Sequence, residues 1–172
     1  MSDFKSGVEI ERKYIIMMPS LADMSGMADY SADEILQTYL SCEEGVTHRV
    51  RSRRSALGTK YYETKKRRID MMSADEYERE LRREEYDLLL TGTAHGTKTI
   101  AKTRHTFTYL GQSFEVDIYP EWQKTAILET ELPSREASPA HPPFIKIVRE
   151  VTGMWEYSNA AMSRHFPPED GV

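Results

Sequence analysis

The chain has 172 residues, 39% hydrophobic and 30% charged, with a net charge of −5. That length is most simply one domain with a real core, residues 1–172 with the structured part over about 8–165. The acidic balance excludes a general nucleic-acid or membrane-surface binder, which carries a basic excess, and no apolar run approaches the roughly 18 residues of a membrane span. The opening residues 1–6 lack the apolar core of a secretory signal, and Cys42 stands alone. A reducing, cytoplasmic setting without disulfides or cysteine-held zinc is therefore expected.

Residues 8–16 alternate. Glu9, Glu11 and Lys13 fall on one side of a strand, with Val8, Ile10, Tyr14 and Ile16 mostly on the other. Carboxylates spaced about 7 Å apart along a strand repel unless a cation stands between them. A divalent cation for the two acids and an anion for Lys13 accounts for the row; taken alone, so does a solvated face. Residues 21–28 read as a short helix weakened by Gly26. Strands are expected over 34–40 (Ile35, Gln37 and Tyr39 on one side), 46–52 (Thr47, Arg49, Arg51) and 61–67 (Tyr62, Thr64, Lys66), with turns at Gly45 and Gly58.

Residues 73–90 satisfy two patterns. Ser73 and Glu76 have capping-box spacing, while a period of two aligns Glu76, Glu78 and Glu80. A strand to Leu81 and a helix from Arg83 to Leu90 reconcile them. A long strand over 99–109 puts Ile100, Lys102, Arg104 and Thr106 together, and Gly111-Gln112 turns the chain into a strand over 113–119. There Glu115 and Asp117 oppose Phe114, Val116 and Ile118. In 126–132, Glu129 and Glu131 oppose Leu128, Thr130 and Leu132. A proline-rich link then leads to a helix over 144–152, closed by Gly153, and to a last short helix over 158–164.

Strand after strand thus carries charges of one sign at i, i+2: Glu9/Glu11, Arg49/Arg51, Glu76/Glu78/Glu80, Lys102/Arg104, Glu115/Asp117 and Glu129/Glu131. The wet face of an open antiparallel sheet normally mixes signs. Blocks of one sign imply charged sides that face one another across a closed barrel with a hydrated lumen and helices outside. The fold class is then α+β. In such a lumen the lysines and arginines would meet phosphate oxygens, and the carboxylates would hold Mg²⁺ or Mn²⁺. The expected ligand is a compact polyanion delivered with metal. The expected chemistry is phosphoryl transfer to water, or attack on a nucleotide phosphate. The five histidines show no ligand spacing.

The ordered set Glu9-Ile-Glu-Arg-Lys13, Gln37-Thr-Tyr-Leu40, Arg49-Val-Arg51, Thr64-Lys-Lys66, Ile100-Ala-Lys-Thr-Arg104, Phe114-Glu-Val-Asp117, Glu129-Thr-Glu131, Glu150-Val-Thr-Gly153 and Tyr157-Ser-Asn159 resembles the CYTH, or triphosphate tunnel metalloenzyme, superfamily in its short single-domain form. The resemblance implies an eight-stranded antiparallel barrel forming a tunnel, a triphosphate ligand, and dependence on Mg²⁺ or Mn²⁺. By position it implies Glu9, Glu11, Glu129 and Glu131 as metal acids, helped by one of Glu76, Glu78 or Glu80, with Glu78 in the middle of that run. Lys13, Arg49, Arg51, Lys66, Lys102 and Arg104 would bind phosphate. Glu9, Glu11, Lys102 and Tyr39 would serve catalysis, and Glu115 and Asp117 would either join the acids or hold the lumen's arginines.

Two departures stand out. Ala74 occupies the place where the family has an arginine, leaving Arg67 or Arg68 to substitute, and Lys65 lies one residue out of phase with Lys66. The implied activity is tripolyphosphate hydrolysis. A class IV type adenylate cyclase, a thiamine triphosphatase and a non-catalytic polyphosphate-binding module are the alternatives. The partner would be a small polyphosphate or nucleoside triphosphate, with no nucleic acid, no membrane, and a homodimer left open.

Overall fold

The computed structural model describes residues 5–169. Eight strands, β1 (Lys5–Met17), β2 (Ala28–Leu40), β3 (Val46–Ser55), β4 (Gly58–Arg68), β5 (Ser73–Leu81), β6 (Ile100–Tyr109), β7 (Gln112–Ile118) and β8 (Thr125–Glu131), run in the order β5-β4-β3-β2-β6-β7-β8-β1. β1 then returns to pair with β5, and every pairing is antiparallel. Closure requires stagger, and β1 supplies it. Its residues Lys5 to Ile10 pair with β5, and Glu11 to Met17 pair with β8. The closed barrel expected from the one-sign rows is present.

The stagger leaves one edge of β1 open beyond Ile10. Backbone Glu11 N–H donates to Met72 O at 3.0 Å, and β9 (Ile147–Glu150) pairs with Tyr14, Ile15 and Ile16. This corrects the helix expected over 144–152. Ile147, Val148 and Val151 are β-branched residues that fit a pleated edge, and the unpaired backbone of β1 offers them a ladder. Gly153 turns the chain with φ +75° instead of ending a helix. The final helix shrinks to α3 (Asn159–Met162), capped by Ser158 Oγ, which accepts from Ala161 N.

Outside the barrel, α1 (Leu21–Ser25) and residues 144–145 cover Tyr14, Ile16, Phe107, Phe114, Val116 and Leu128. The next helix, α2 (Arg83–Leu89), lays Tyr86 on Leu40, Val50 and Leu81. Inside, the end of the lumen nearest α3 is apolar along β1, β6 and β8: Ile15, Ile100 and Ile127 pack with Tyr119, Trp122, Val151, Tyr157 and Met162. Tyr14, Ile15 and Ile16 are therefore all buried, each face of β1 having its own core. Among the described residues no helix is long and apolar enough to cross a membrane.

Candidate functional site

The inward side chains enclose a cavity of about 580 Å³. Its cations are Lys13, Arg49, Arg51, Arg53, Lys66 and Arg104, with Arg68 at an edge; its acids are Glu9, Glu11, Glu76, Glu78, Glu115, Glu129 and Glu131, with Asp70 beside Arg68. Alternation explains the gathering, since each row is the inward half of a two-sided strand. Lys66 points in and its neighbour Lys65 is exposed, which resolves the phase between them. Glu76 and Glu78 line the cavity, whereas Glu80 is exposed and lies 3.6 Å from Lys60.

The arginines of β3 are the centre of the cationic wall. Arg51 is buried, and Nη2 donates to Glu78 Oε2 at 3.3 Å. Burial, then the neighbouring Arg49, pull the Arg51 guanidinium down to about 10 despite Glu78, with Arg104 and Arg53 pulling the same way. Among the described residues, Nε of Arg49 and Nε of Arg51 are buried with no hydrogen-bond partner. Donors of this kind, crowded and out of water, are costly unless an anion takes them. Tyr39, paired in register with Arg49, also lines the cavity, and its hydroxyl accepts from Gln37 Nε2 at 2.7 Å.

The acidic wall lies on β1, β5 and β8. Glu11 is the direct cross-strand partner of Glu131. Burial and then the Glu9 and Glu11 carboxylates push Glu131 up from the ordinary carboxylate range. Burial likewise raises Glu76, with Glu9 and Glu78 adding to the effect against Arg49 and Lys66. Lys66 Nζ donates to Glu9 Oε2 at 3.0 Å and lies 3.8 Å from Glu76. Among the described residues no three His, Cys, Asp or Glu side chains stand close enough together to hold a metal ion as placed. By donor chemistry the fit is nevertheless good: Glu9, Glu11 and Glu131 are hard oxygen donors of one sign, Glu131 is pushed up by burial and by the other two while Lys66 holds Glu9 down against its own burial, and a hard divalent cation would suit the set.

A second cluster lies deeper. Arg104 is held by three carboxylates: Nε and Nη2 on Asp117 at 2.7 and 2.8 Å, Nη1 on Glu115 at 2.6 Å, and Nη2 on Glu129 at 3.3 Å. Lys102 Nζ donates to the same Asp117 at 2.6 Å with 1% of its side chain exposed, and it does not line the cavity. Because Arg104 already answers Asp117 in bidentate fashion, Lys102 is the surplus cation. Burial and Arg104 pull it down to about 8, while Asp117 stays below its usual range. Glu129, expected among the metal acids, gives one oxygen to Lys13 at 3.0 Å and the other to Arg104. Burial opposes its charge, but Lys13 and Arg104 outweigh burial and hold it well below the carboxylate range. Asp117→Asn would leave two buried cations short of their shared partner. The urea-unfolding free energy should fall by about 3–5 kcal/mol, and a loss under about 1 kcal/mol would contradict a structural role for this cluster.

One lining residue and its partner escaped the pattern. Arg53 continues the row Arg49–Arg51, but its strand was expected to end at Ser52 and runs to Ser55. Asp33, which accepts from Arg53 Nε at 2.6 Å, lay just outside a strand expected to start at Glu34. Of the two candidates for the missing arginine, Arg68 reaches the cavity; Arg67 is exposed and pairs with Glu43 at 3.3 Å.

No family model matches the chain, and no curated protein matches it in sequence. Solved structures do. The inorganic triphosphatase NE1496 is similar with a TM-score of 0.58 and 26% identity over 94% of this chain and 97% of that one. PH1819 from Pyrococcus horikoshii OT3 is similar at 0.55 and 18%, over 74% of this chain and 80% of that one. A candidate adenylate cyclase, bh2851 from Bacillus halodurans, follows at 0.53 and 15%, over 76% and 83%. At those last two identities the likeness concerns the fold alone. The barrel and the likeness to NE1496 agree with the resemblance to the CYTH, or triphosphate tunnel metalloenzyme, superfamily. The likeness to NE1496 spans nearly all of both chains.

Proposed function

We propose that the protein is a metal-dependent hydrolase of inorganic triphosphate. The observation that carries this reading is the pair Arg49 and Arg51, whose Nε atoms are buried without a hydrogen-bond partner among the described residues, inside an enclosed cavity opposite an acidic wall. The likeness to a triphosphatase along nearly the whole chain adds to it. Arg49 and Arg51 present forks that suit phosphate oxygens, with Lys66 and Lys13 as point charges beside them. Arg104, fixed by Asp117, Glu115 and Glu129, and Lys102 behind it set the field at the back of the lumen. Both are positioning groups, as is Glu129. Glu9, Glu11 and Glu131 would hold Mg²⁺ or Mn²⁺, with Glu76 or Glu78 in support. When bound, such an ion supplies Lewis acidity toward phosphate oxygen and a more acidic water. The enclosure lets the cations spread the charge that develops on the departing phosphate.

The test is direct. Tripolyphosphate, ATP and thiamine triphosphate are offered with Mg²⁺ or Mn²⁺, and phosphate, pyrophosphate and cyclic AMP are measured. Phosphate from tripolyphosphate is the expected result. Cyclic AMP with pyrophosphate from ATP would replace this reading by a cyclase, and tight binding without turnover would replace it by a binding module.

A further inference from the structure

The cationic row of β3 is one rung longer than a triphosphate needs. Arg49, Arg51 and Arg53 line the cavity from alternate positions of one strand. At a rise of about 3.3 Å per residue, the first and third of them are about 13 Å apart along the strand. A triphosphate joins its phosphorus atoms through only two bridging oxygens and is shorter than the row. The third rung stands near the end of the lumen where β3 turns into β4. Its register partner there is Lys60, which lies 3.6 Å from Glu80. Glu115 and Glu131 line the same end from β7 and β8, and Glu115 is taken by Arg104 at 2.6 Å. In the other direction the row stops at Thr47. Arg68, at that end, is spent on the carbonyls of Gly153 at 2.7 Å and Asp70 at 3.0 Å, and the Asp70 side chain lines the cavity beside it.

Arg53 is built into the wall. Its Nε donates to Asp33 Oδ2 at 2.6 Å, and Asp33 is buried. Among the described residues no hydrogen bond or ion pair engages Nη1 or Nη2 of Arg53. The next residue, Arg54, carries the same charge on the other side of the strand: it pairs with Glu34, stays largely exposed and does not line the cavity.

We infer that Arg53 is a specificity-determining residue that takes a fourth phosphate, so that the lumen prefers linear polyphosphates of four or more phosphates to tripolyphosphate. The inference rests on the lumen being a polyphosphate site. With Nε fixed by Asp33, the guanidinium offers its two Nη groups as a fork for phosphate oxygens. A chain already lying on Arg49 and Arg51 meets that fork when it is one phosphate longer. The third charge on the row, which adds to the repulsion felt by Arg51 in the ligand-free barrel, is then answered by an anion along its whole length.

The Kd values of inorganic tetraphosphate and tripolyphosphate are measured by calorimetry in EDTA at one ionic strength, and kcat/KM for both is measured with Mg²⁺. The native chain is compared with Arg53→Gln, Arg54→Gln and the double variant Asp33→Asn/Arg53→Gln, which leaves no buried carboxylate without its partner. The native chain should favour tetraphosphate by about tenfold, the scale of one charge-assisted hydrogen bond. That preference should be lost in Arg53→Gln and in the double variant, and kept in Arg54→Gln, which removes an equal charge from the outer face. Equal affinity of the native chain for the two ligands, a preference that survives either Arg53 variant, or an equal loss in Arg54→Gln overturns the fourth-phosphate subsite and leaves the lumen reading standing. Failure of the native chain to bind or turn over either ligand overturns the lumen reading and this inference together.

Discussion

Arg51→Met should raise the Kd for tripolyphosphate by about 10- to 100-fold, the scale of one charge-assisted hydrogen bond removed from a desolvated site. The same change should leave thermal stability unaltered or raise it. In the ligand-free barrel the Arg51 charge is opposed by burial and by Arg49, and its carboxylate partner Glu78 keeps Thr64 Oγ1 at 2.9 Å after the arginine is gone. Loss of binding together with an unchanged or higher melting temperature is thus the signature of a group placed for a ligand. Loss of both together would mean that Arg51 serves the fold and that the cationic wall is structural.

The second large effect concerns Glu131. Glu131→Gln should reduce metal-dependent turnover by about a hundredfold or more with the fold intact. It should also change how the metal-free protein responds to pH. The folded carboxylate binds its proton more readily than the unfolded one, being raised by burial, Glu9 and Glu11. Its charge therefore weakens the metal-free fold near neutrality, and stability should climb as pH falls toward the ordinary value of 4.5. In Glu131→Gln that part of the climb should disappear. Glu129 and Asp117 act with the opposite sign: their folded pKa values are depressed, so their contribution is lost only as pH falls below their ordinary values of 4.5 and 3.8. Added Mg²⁺ should raise the melting temperature of the native chain more than that of the variant. Equal turnover or equal metal stabilisation in the two would remove Glu131 from the metal set.

The barrel was readable because alternation and charge sign coincide. Arg49/Arg51, Glu115/Asp117 and Glu9/Glu11 each lie opposite apolar or mixed partners on the same strand, and a chain can satisfy all of them at once by closing on itself. Cross-strand partners were not readable. Glu129 has the same i, i+2 pattern as Glu9, but its register partner Lys13 and the nearby Arg104 occupy both of its oxygens. Lys102 has the pattern of a phosphate ligand, yet it sits a layer behind Arg104 on Asp117. The segment taken as a helix over 144–152 became a strand for a reason local propensity does not carry: the stagger of β1 left backbone donors and acceptors needing a partner. Strand ends were cut a few residues short, and Arg53 and Asp33 were missed for that reason.

A crystal structure with tripolyphosphate and a divalent cation would test most directly whether the lumen is the site. The phosphate chain should lie inside the barrel with oxygens on Arg49, Arg51 and Lys66, and the cation should be held by Glu9, Glu11 and Glu131. A polyphosphate bound on the outer face, with the lumen's arginines and acids paired as they are in the ligand-free protein, would contradict the account.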